Sequence, residues 1–362
     1  MFLRRLKKKT LTDNNRLSVP SLLRGDYFCF AETNYTLTIC LAECIIFNVE
    51  FCHEKEDDYI FMIDFRPVSF KDKALYESYL TDIESRGCEL TFANLCFWGQ
   101  QNMAVVDGHI VLFSHFGDLT IYPYPIGKGD KRSVLDKIIE DAGERGIECI
   151  ISSLDEEAKH TLETYYPDKF RYFFDPASYD YVYSIDDLAD LKGRKYQKKR
   201  NHLNRFRQTY PDHRVVPIDG TNIAELKKMV DLWYEEKAAK GTDEDYELEK
   251  AAIEKAFEGY SELGLEGLVI LNEGKVLALT LGSRMSADTF DVHFEKARSD
   301  ADGAYAAINR EFASYIREKY PDVRYLDREE DMGIEGLRKS KESYYPHHMI
   351  AEYWAREATP SE

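Results

Sequence analysis

From Met62 onward, hydrophobic and polar positions fall into an α/β rhythm that is stated twice. In the first statement an apolar strand (65–68) and an amphipathic helix (71–86) precede two strands, 103–106 and 109–114, joined by Asp107-Gly108. Asp-Gly between alternating apolar runs is a tight hairpin signal, because both central residues of such a turn take positive φ. A third strand (119–124) leads into a helix (132–145) that Gly146 stops, then a strand (147–152), a helix (155–166) and a closing strand pair over 172–183.

The second statement repeats the order. It has a strand (214–218), helices over 223–240 and 246–263, hairpin strands over 268–271 and 276–283, and a third strand over 289–295. A helix (303–320), a strand (323–326), a helix (333–344) and a closing strand (348–354) follow. The pattern predicts an α/β protein of mixed sheets in two tandem domains, 62–185 and 186–356, with a tail at 357–362. Residues 1–61 read differently, ending in an acidic break at 54–58. They are expected to be an accessory or artefactual extension, with Met62 as an alternative start.

A chain of 362 residues can bury two cores without disulfides or metals. Its 44% hydrophobic and 31% charged residues are those of a soluble globular protein. The net charge of -18 excludes attraction of the whole surface to nucleic acid, so any polyanion site must be local. Seven cysteines, at 29, 40, 44, 52, 88, 96 and 149, show no paired CxxC spacing. They read as reduced thiols of a cytoplasmic protein, with no metal site. Residues 1–9 are basic, but polar residues 10–15 follow where a signal peptide needs an apolar core. The apolar run 36–51 is broken by Glu43 and Asn48 and is shorter than the roughly 20 residues of a spanning helix. It reads as a packed strand or helix, leaving no integral membrane segment.

Local motifs sharpen the picture. The run 191–206 (LKGRKYQKKRNHLNRF), followed by Arg214-Val-Val216, resembles the basic helix and strand that open the second half of Fem-type aminoacyltransferases. His293-Phe-Glu-Lys-Ala-Arg298 and the run 324–341 (RYLDREEDMGIEGLRKSK) resemble blocks of the phosphatidylglycerol lysyltransferase C-terminal-domain family. The element order resembles that of the GNAT acyltransferases, here two tandem GNAT-like domains. The resemblance covers 62–356 and implies transfer of an aminoacyl group from aminoacyl-tRNA, or of an acyl group from acyl-CoA, with no further cofactor. The acceptor is a small molecule or a lipid that no motif specifies. Lipid lysyltransferases carry a large integral membrane region, and its absence here weighs against a phospholipid acceptor.

Eight cationic side chains crowd residues 192–207 of this acidic chain. Lys195, Lys198, Lys199, Arg200, His202 and Arg205 are the candidates for tRNA or coenzyme phosphates, against the alternative of a solvated linker helix. As a helix, Lys195, Lys199 and His202 share one face, while Tyr196, Leu203 and Phe206 turn inward. Two strand-to-helix junctions are candidates for pyrophosphate. Gly127-Lys128-Gly129 is one. The other runs from Arg298 to Gly303 and nearly fits the GNAT phosphate loop, although Ala301 replaces its first glycine and Asp300 and Asp302 oppose phosphate. Both are weak signals, and ordinary turns account for such junctions more often than phosphate sites do.

Acyl transfer needs a base for the acceptor and stabilisation of the carbonyl oxygen. His293 and Glu295 alternate on one strand and are expected on the same face as base candidates. Asp327, with Glu329 and Glu330, is placed to orient a cationic aminoacyl group, or forms a solvated loop. Arg338, with Lys339 and Lys341, is a candidate for the oxyanion or a terminal phosphate, and Tyr344 for protonating a leaving thiolate. HExxH, GxSxG and Walker motifs do not occur. The leading reading is an aminoacyltransferase using aminoacyl-tRNA. A coenzyme A-dependent N-acyltransferase and a non-catalytic tRNA- or peptide-binding module are the alternatives.

Overall fold

A computed structural model of the chain describes residues 61–80, 87–239 and 246–358. The expected extension, except Phe61, lies outside the described residues, as do Cys29, Cys40, Cys44 and Cys52. The first half comprises β1 (Arg66–Pro67), α1 (Lys73–Tyr79), α2 (Phe92–Phe97), β2 (Gln100–Val106), β3 (His109–Phe116), β4 (Leu119–Pro123), α3 (Arg132–Glu144), β5 (Ile150–Leu154), α4 (Glu156–Tyr165), β6 (Phe170–Phe174) and β7 (Asp180–Ser184). The chain continues through α5 (Ile185–Asp190), α6 (Gln197–Thr209), β8 (Arg214–Pro217), α7 (Ile223–Ala239), α8 (Tyr246–Glu258), β9 (Glu266–Asn272) and β10 (Lys275–Arg284). It ends with β11 (Thr289–Ala297), α9 (Ala304–Lys319), β12 (Tyr325–Asp327), α10 (Glu335–Glu342), β13 (His348–Ile350) and β14 (Tyr353–Glu357).

Asp107 and Gly108 both take positive φ, 48° and 74°, so β2 and β3 close the tight hairpin their sequence demands. Helix α2 was absent from the expected elements. Its apolar run 92–97 is too short to separate helix from strand by period, and Thr91, whose side chain accepts from Asn94 N, starts it as a helix.

The strands form two mixed seven-stranded sheets, β1-β2-β3-β4-β5-β14-β6 and β13-β7-β12-β11-β10-β9-β8. In each, one parallel pair interrupts the antiparallel order: β4 with β5, and β11 with β12. Sheet membership departs from chain order at one place in each half. The expected closing pair over 172–183 does not form, because β6 stays in the first sheet while β7 pairs with β12 and β13 in the second. The expected closing strand over 348–354 is likewise two strands, β13 in the second sheet and β14 inserted between β5 and β6 of the first. The halves therefore share one strand order and exchange one strand reciprocally. Apolar alternation reports that a strand is buried, not which sheet takes it.

Three cores follow. One face of the first sheet packs with Val134, Leu135 and Ile138 of α3 and Leu162 of α4. One face of the second packs with Leu188 of α5, Leu203 and Phe206 of α6, and Ile308 and Phe312 of α9. The third core lies between the sheets, where Met103 and Leu112 meet Leu279 and Phe294 through Phe97, Leu226, Trp233 and Phe257 of the intervening helices. Large apolar side chains from both halves share that core, so the halves form one compact unit.

Candidate functional site

Strands β11 and β12 run parallel over only three pairs, ending at Asp291 opposite Asp327. Strand β12 stops there, while β11 runs on to Ala297. The two strands part, and chemistry-bearing side chains gather on both faces of the sheet around the gap.

A β-bulge decides which face each side chain takes. The β10–β11 register shifts between Leu281 and Ser283, where the side-chain alternation of β11 slips by one residue. His293 packs edge-on against Phe97 of α2, with ring centroids 5.3 Å apart. Glu295 instead accepts from Asn309 of α9, 3.1 Å away. The expectation that His293 and Glu295 share a face is thereby overturned: the bulge sends them to opposite sides.

On the face toward the first half, Asp180, Asp327 and Asp291 form a row across the adjacent strands β7, β12 and β11. None is more than 2% exposed. Burial, then neighbouring carboxylates, pushes all three acids up, Asp327 to about 8. The first half supplies donors. Cys88 N donates to Asp180 Oδ2 at 2.7 Å, and Asn94 Nδ2 to Glu329 Oε1 at 3.0 Å. His293 Nδ1 lies 3.3 Å from both Asp291 Oδ2 and Glu329 Oε1, and its Nε2 lies 2.8 Å from Ser283 Oγ. Asp291 Oδ1 and Asp327 Oδ2 are buried without a hydrogen-bond partner among the described residues.

The opposite face is cationic. Arg328 Nη2 donates to Glu295 at 3.0 Å, and its guanidinium lies 5.0 Å from the Tyr344 ring centroid. Its buried Nη1 has no partner among the described residues. Lys199 Nζ sits over the same tyrosine ring, 3.5 Å from its centroid. Burial, reinforced by Arg328 and opposed by Glu295, pulls the Lys199 amine down to about 8. Burial also raises the Tyr344 hydroxyl.

The remaining candidates are engaged locally. Arg338 Nε and Nη2 bond Asp331 at 2.7 and 3.0 Å, and Lys339 pairs with Glu335. Lys341 is buried and donates to the carbonyls of Arg328, Glu329 and Glu330, which holds the loop after β12 in shape.

Helix α6 and the turn before it carry the basic segment. Tyr196, Leu203 and Phe206 are buried, as their spacing predicts, while Lys195, Lys198, His202 and Arg205 are exposed. Lys195 pairs with Asp187 at 2.9 Å and Arg205 with Asp302 at 2.7 Å; Arg200 Nη1 donates to the carbonyls of Leu191 and Gly193. Arg194 and Lys198 have no carboxylate within ion-pair distance among the described residues.

The two glycine junctions are taken up by their own neighbouring side chains. At the start of α3, Asp130 already accepts from Arg132 N at 2.9 Å, and Lys131 donates to Gly127 O; Lys128 and Gly129 are exposed. At the start of α9, Arg298 bonds Asp300 at 2.9 and 2.8 Å. Gly303, at φ 83°, lets the backbone of α6 approach, since a Cβ there would lie 2.5 Å from His202 O.

Sequence reasoning missed Cys88, Asp180, Asp291 and the part played by Arg328. The available signal was an aspartate inside a buried apolar run, in Tyr179-Asp-Tyr-Val-Tyr183 and Phe290-Asp-Val292. Such residues are seldom fully buried without a purpose or partner.

The family described as phosphatidylglycerol lysyltransferase, C-terminal, matches residues 80–356. A conserved protein of unknown function from Bacteroides thetaiotaomicron is 38% identical, with a TM-score of 0.78, covering 82% of this chain and 100% of that one. The C-terminal domain of a putative lysylphosphatidylglycerol synthetase from Agrobacterium fabrum is 13% identical, with a TM-score of 0.59 over 81% of this chain and 93% of that one, and shares the fold. An uncharacterised protein of Mycoplasmoides gallisepticum is 26% identical over 183 residues, 49% of this chain. The match spans 56% of that curated relative's length. No helix among the described residues is long and apolar enough to cross a membrane.

Proposed function

The chain belongs to the phosphatidylglycerol lysyltransferase C-terminal family, with its two tandem GNAT-like halves, and from that premise we propose that it moves an aminoacyl group from aminoacyl-tRNA to a hydroxyl or amine acceptor. One observation carries the reading. Where β11 and β12 part, the second sheet separates a cationic face, Lys199 and Arg328, from a row of buried carboxylates.

An aminoacyl ester has the same polarity. Its nucleotide end is anionic, and its amino acid end carries an ammonium. In this reading the terminal phosphates lie along α6, and the ester enters the gap. The ammonium then reaches Asp180 and Asp327, whose buried charge is costly without a cation. Arg328 Nη1, buried and without a partner among the described residues, is the donor for the developing oxyanion. Lys199, pulled down to about 8, holds a usable fraction of free amine near neutral pH and takes the acceptor's proton as its oxygen or nitrogen attacks the carbonyl. The tRNA 3′-oxygen leaves and recovers that proton. A tRNA donor sets this chemistry in the cytoplasm.

The coenzyme A alternative gains nothing from the Arg298–Gly303 loop, where Arg298 is bonded to Asp300 and Asp302 to Arg205. The test is transfer from tRNA charged with a labelled amino acid, with phosphatidylglycerol vesicles and a peptide amine as acceptors. Label should move to one of them, and Arg328→Met should abolish transfer while tRNA binding persists. Protein that neither binds charged tRNA nor discharges it overturns the reading.

A further inference from the structure

We infer that Asp291, His293 and Glu329 form a divalent-metal site fitted to Zn2+. Their ligating atoms lie within 4.8 Å of one another, with Asp291 and His293 buried and Glu329 half-buried. His293 Nδ1 is 3.3 Å from an oxygen of each carboxylate. That is long for a nitrogen–oxygen hydrogen bond, whose usual length is about 2.9–3.0 Å. It matches the roughly 3.3 Å edge of a tetrahedron drawn around zinc with bonds of about 2.0–2.1 Å.

The surroundings are those of a ligand set. Ser283 Oγ, 2.8 Å from Nε2, can accept the proton on that nitrogen and leave the Nδ1 lone pair facing the two carboxylates. Asn94 Nδ2 orients the Glu329 carboxylate from the other side. Two carboxylates and a neutral imidazole balance a dication, and among the described residues no lysine or arginine side chain pairs with either carboxylate. The ammonium of Lys341 is spent on backbone carbonyls. A second observation points the same way. Asp291 Oδ1, on a fully buried ligand of the site, has no partner among the described residues. A bare oxygen on a fully buried ligand calls for a cation. With the metal on Asp291 and Glu329, Asp180 and Asp327 remain for a donor's ammonium.

The test uses the full chain stripped with chelator and titrated with Co2+ alone, then with competing Zn2+. Wild type should take one equivalent, show the intense visible bands of four-coordinate cobalt, and lose them to Zn2+. His293→Gln and Glu329→Gln should weaken Zn2+ binding at least 100-fold. Ser283→Ala, a milder change that leaves the ligands in place, should weaken it about 10-fold. The variants' circular dichroism shows that they are folded. Wild-type protein that takes up no metal, or a folded His293→Gln variant that binds as tightly, overturns the site. No tRNA enters these measurements, so their outcome is independent of the transfer assay.

Discussion

Gly282 on β10 lies so close to the carbonyl of Asp291 on β11 that a Cβ at 282 would overlap that oxygen. The contact sits at the register shift that sends His293 and Glu295 to opposite faces. Backbone on both sides leaves nothing flexible to yield. Gly282→Ala should destabilise the fold by about 1–3 kcal/mol in urea unfolding and loosen metal binding beyond what the lost stability explains. A variant of wild-type stability and metal affinity would show that the bulge does not depend on glycine.

Lys341 is a buried ammonium whose donors all go to the backbone carbonyls of 328–330. Burial pulls its amine down; of the three carbonyls, that of Glu329 also accepts from Tyr181 N at 3.1 Å. Lys341→Met keeps the volume and takes the donor away from the carbonyls of Arg328 and Glu330, so stability should fall by about 1–3 kcal/mol and transfer should fall with it. An unchanged denaturation midpoint would remove this lysine from the site's support.

Asp327, held up to about 8 against an ordinary 3.8, gives a signed pH prediction. Between those values the folded protein holds a proton that the unfolded chain has released. Stability on this account therefore falls as pH rises from 3.8 to 8, and the full penalty applies above 8. Asp327→Asn removes the penalty. Thermal unfolding should show the variant more stable than wild type by about 1–3 kcal/mol at pH 9, with the advantage shrinking toward pH 4. Its KM for charged tRNA should rise at least tenfold. Equal pH profiles for the two proteins would contradict the burial argument.

How far the sequence carried this picture differs by level. Periods of two and of about 3.6, with Asp107-Gly108 and Gly146 as punctuation, placed most elements, and the 3–4 spacing of Tyr196, Leu203 and Phe206 oriented α6 correctly. The exchange of β7 and β14 was not legible, because a buried strand carries no mark of its neighbour. The faces of His293 and Glu295 went astray for a related reason. A single-residue bulge reverses alternation, and its trace, a glycine at 282, lies on the partner strand. The acid row was hidden in the same way: Asp180, Asp291 and Asp327 are far apart in sequence and meet only through strand register.

Lys199 titrates with the opposite sign. Its folded value near 8 lies below the ordinary 10.5, so below pH 8 the protein holds a buried charge at a cost, and stability recovers as pH rises from 8 to 10.5. Lys199→Met should be more stable than wild type below pH 8, the two should converge above 10.5, and the variant should lose transfer activity. Because burial also raises the neighbouring Tyr344 hydroxyl, the difference between the two proteins isolates the amine. A difference constant in pH would show that Lys199 keeps its ordinary value.

On the proposed tRNA reading, the cations of the basic segment are not equally available to phosphate. Arg200 is committed to carbonyls of its own turn, Lys195 to Asp187 and Arg205 to Asp302, whereas Arg194 and Lys198 face solvent with no carboxylate partner among the described residues. A phosphate contact made by either of these two releases counterions without first breaking an ion pair. Replacing Arg194 and Lys198 together by Ala should therefore lower the slope of log affinity for tRNA against log salt by about 1–2, at little cost in stability. Arg200→Ala should do the reverse, lowering the melting temperature and leaving the slope nearly unchanged. If the double variant keeps the wild-type slope, the tRNA lies elsewhere, and the polarity of the second sheet has some other use.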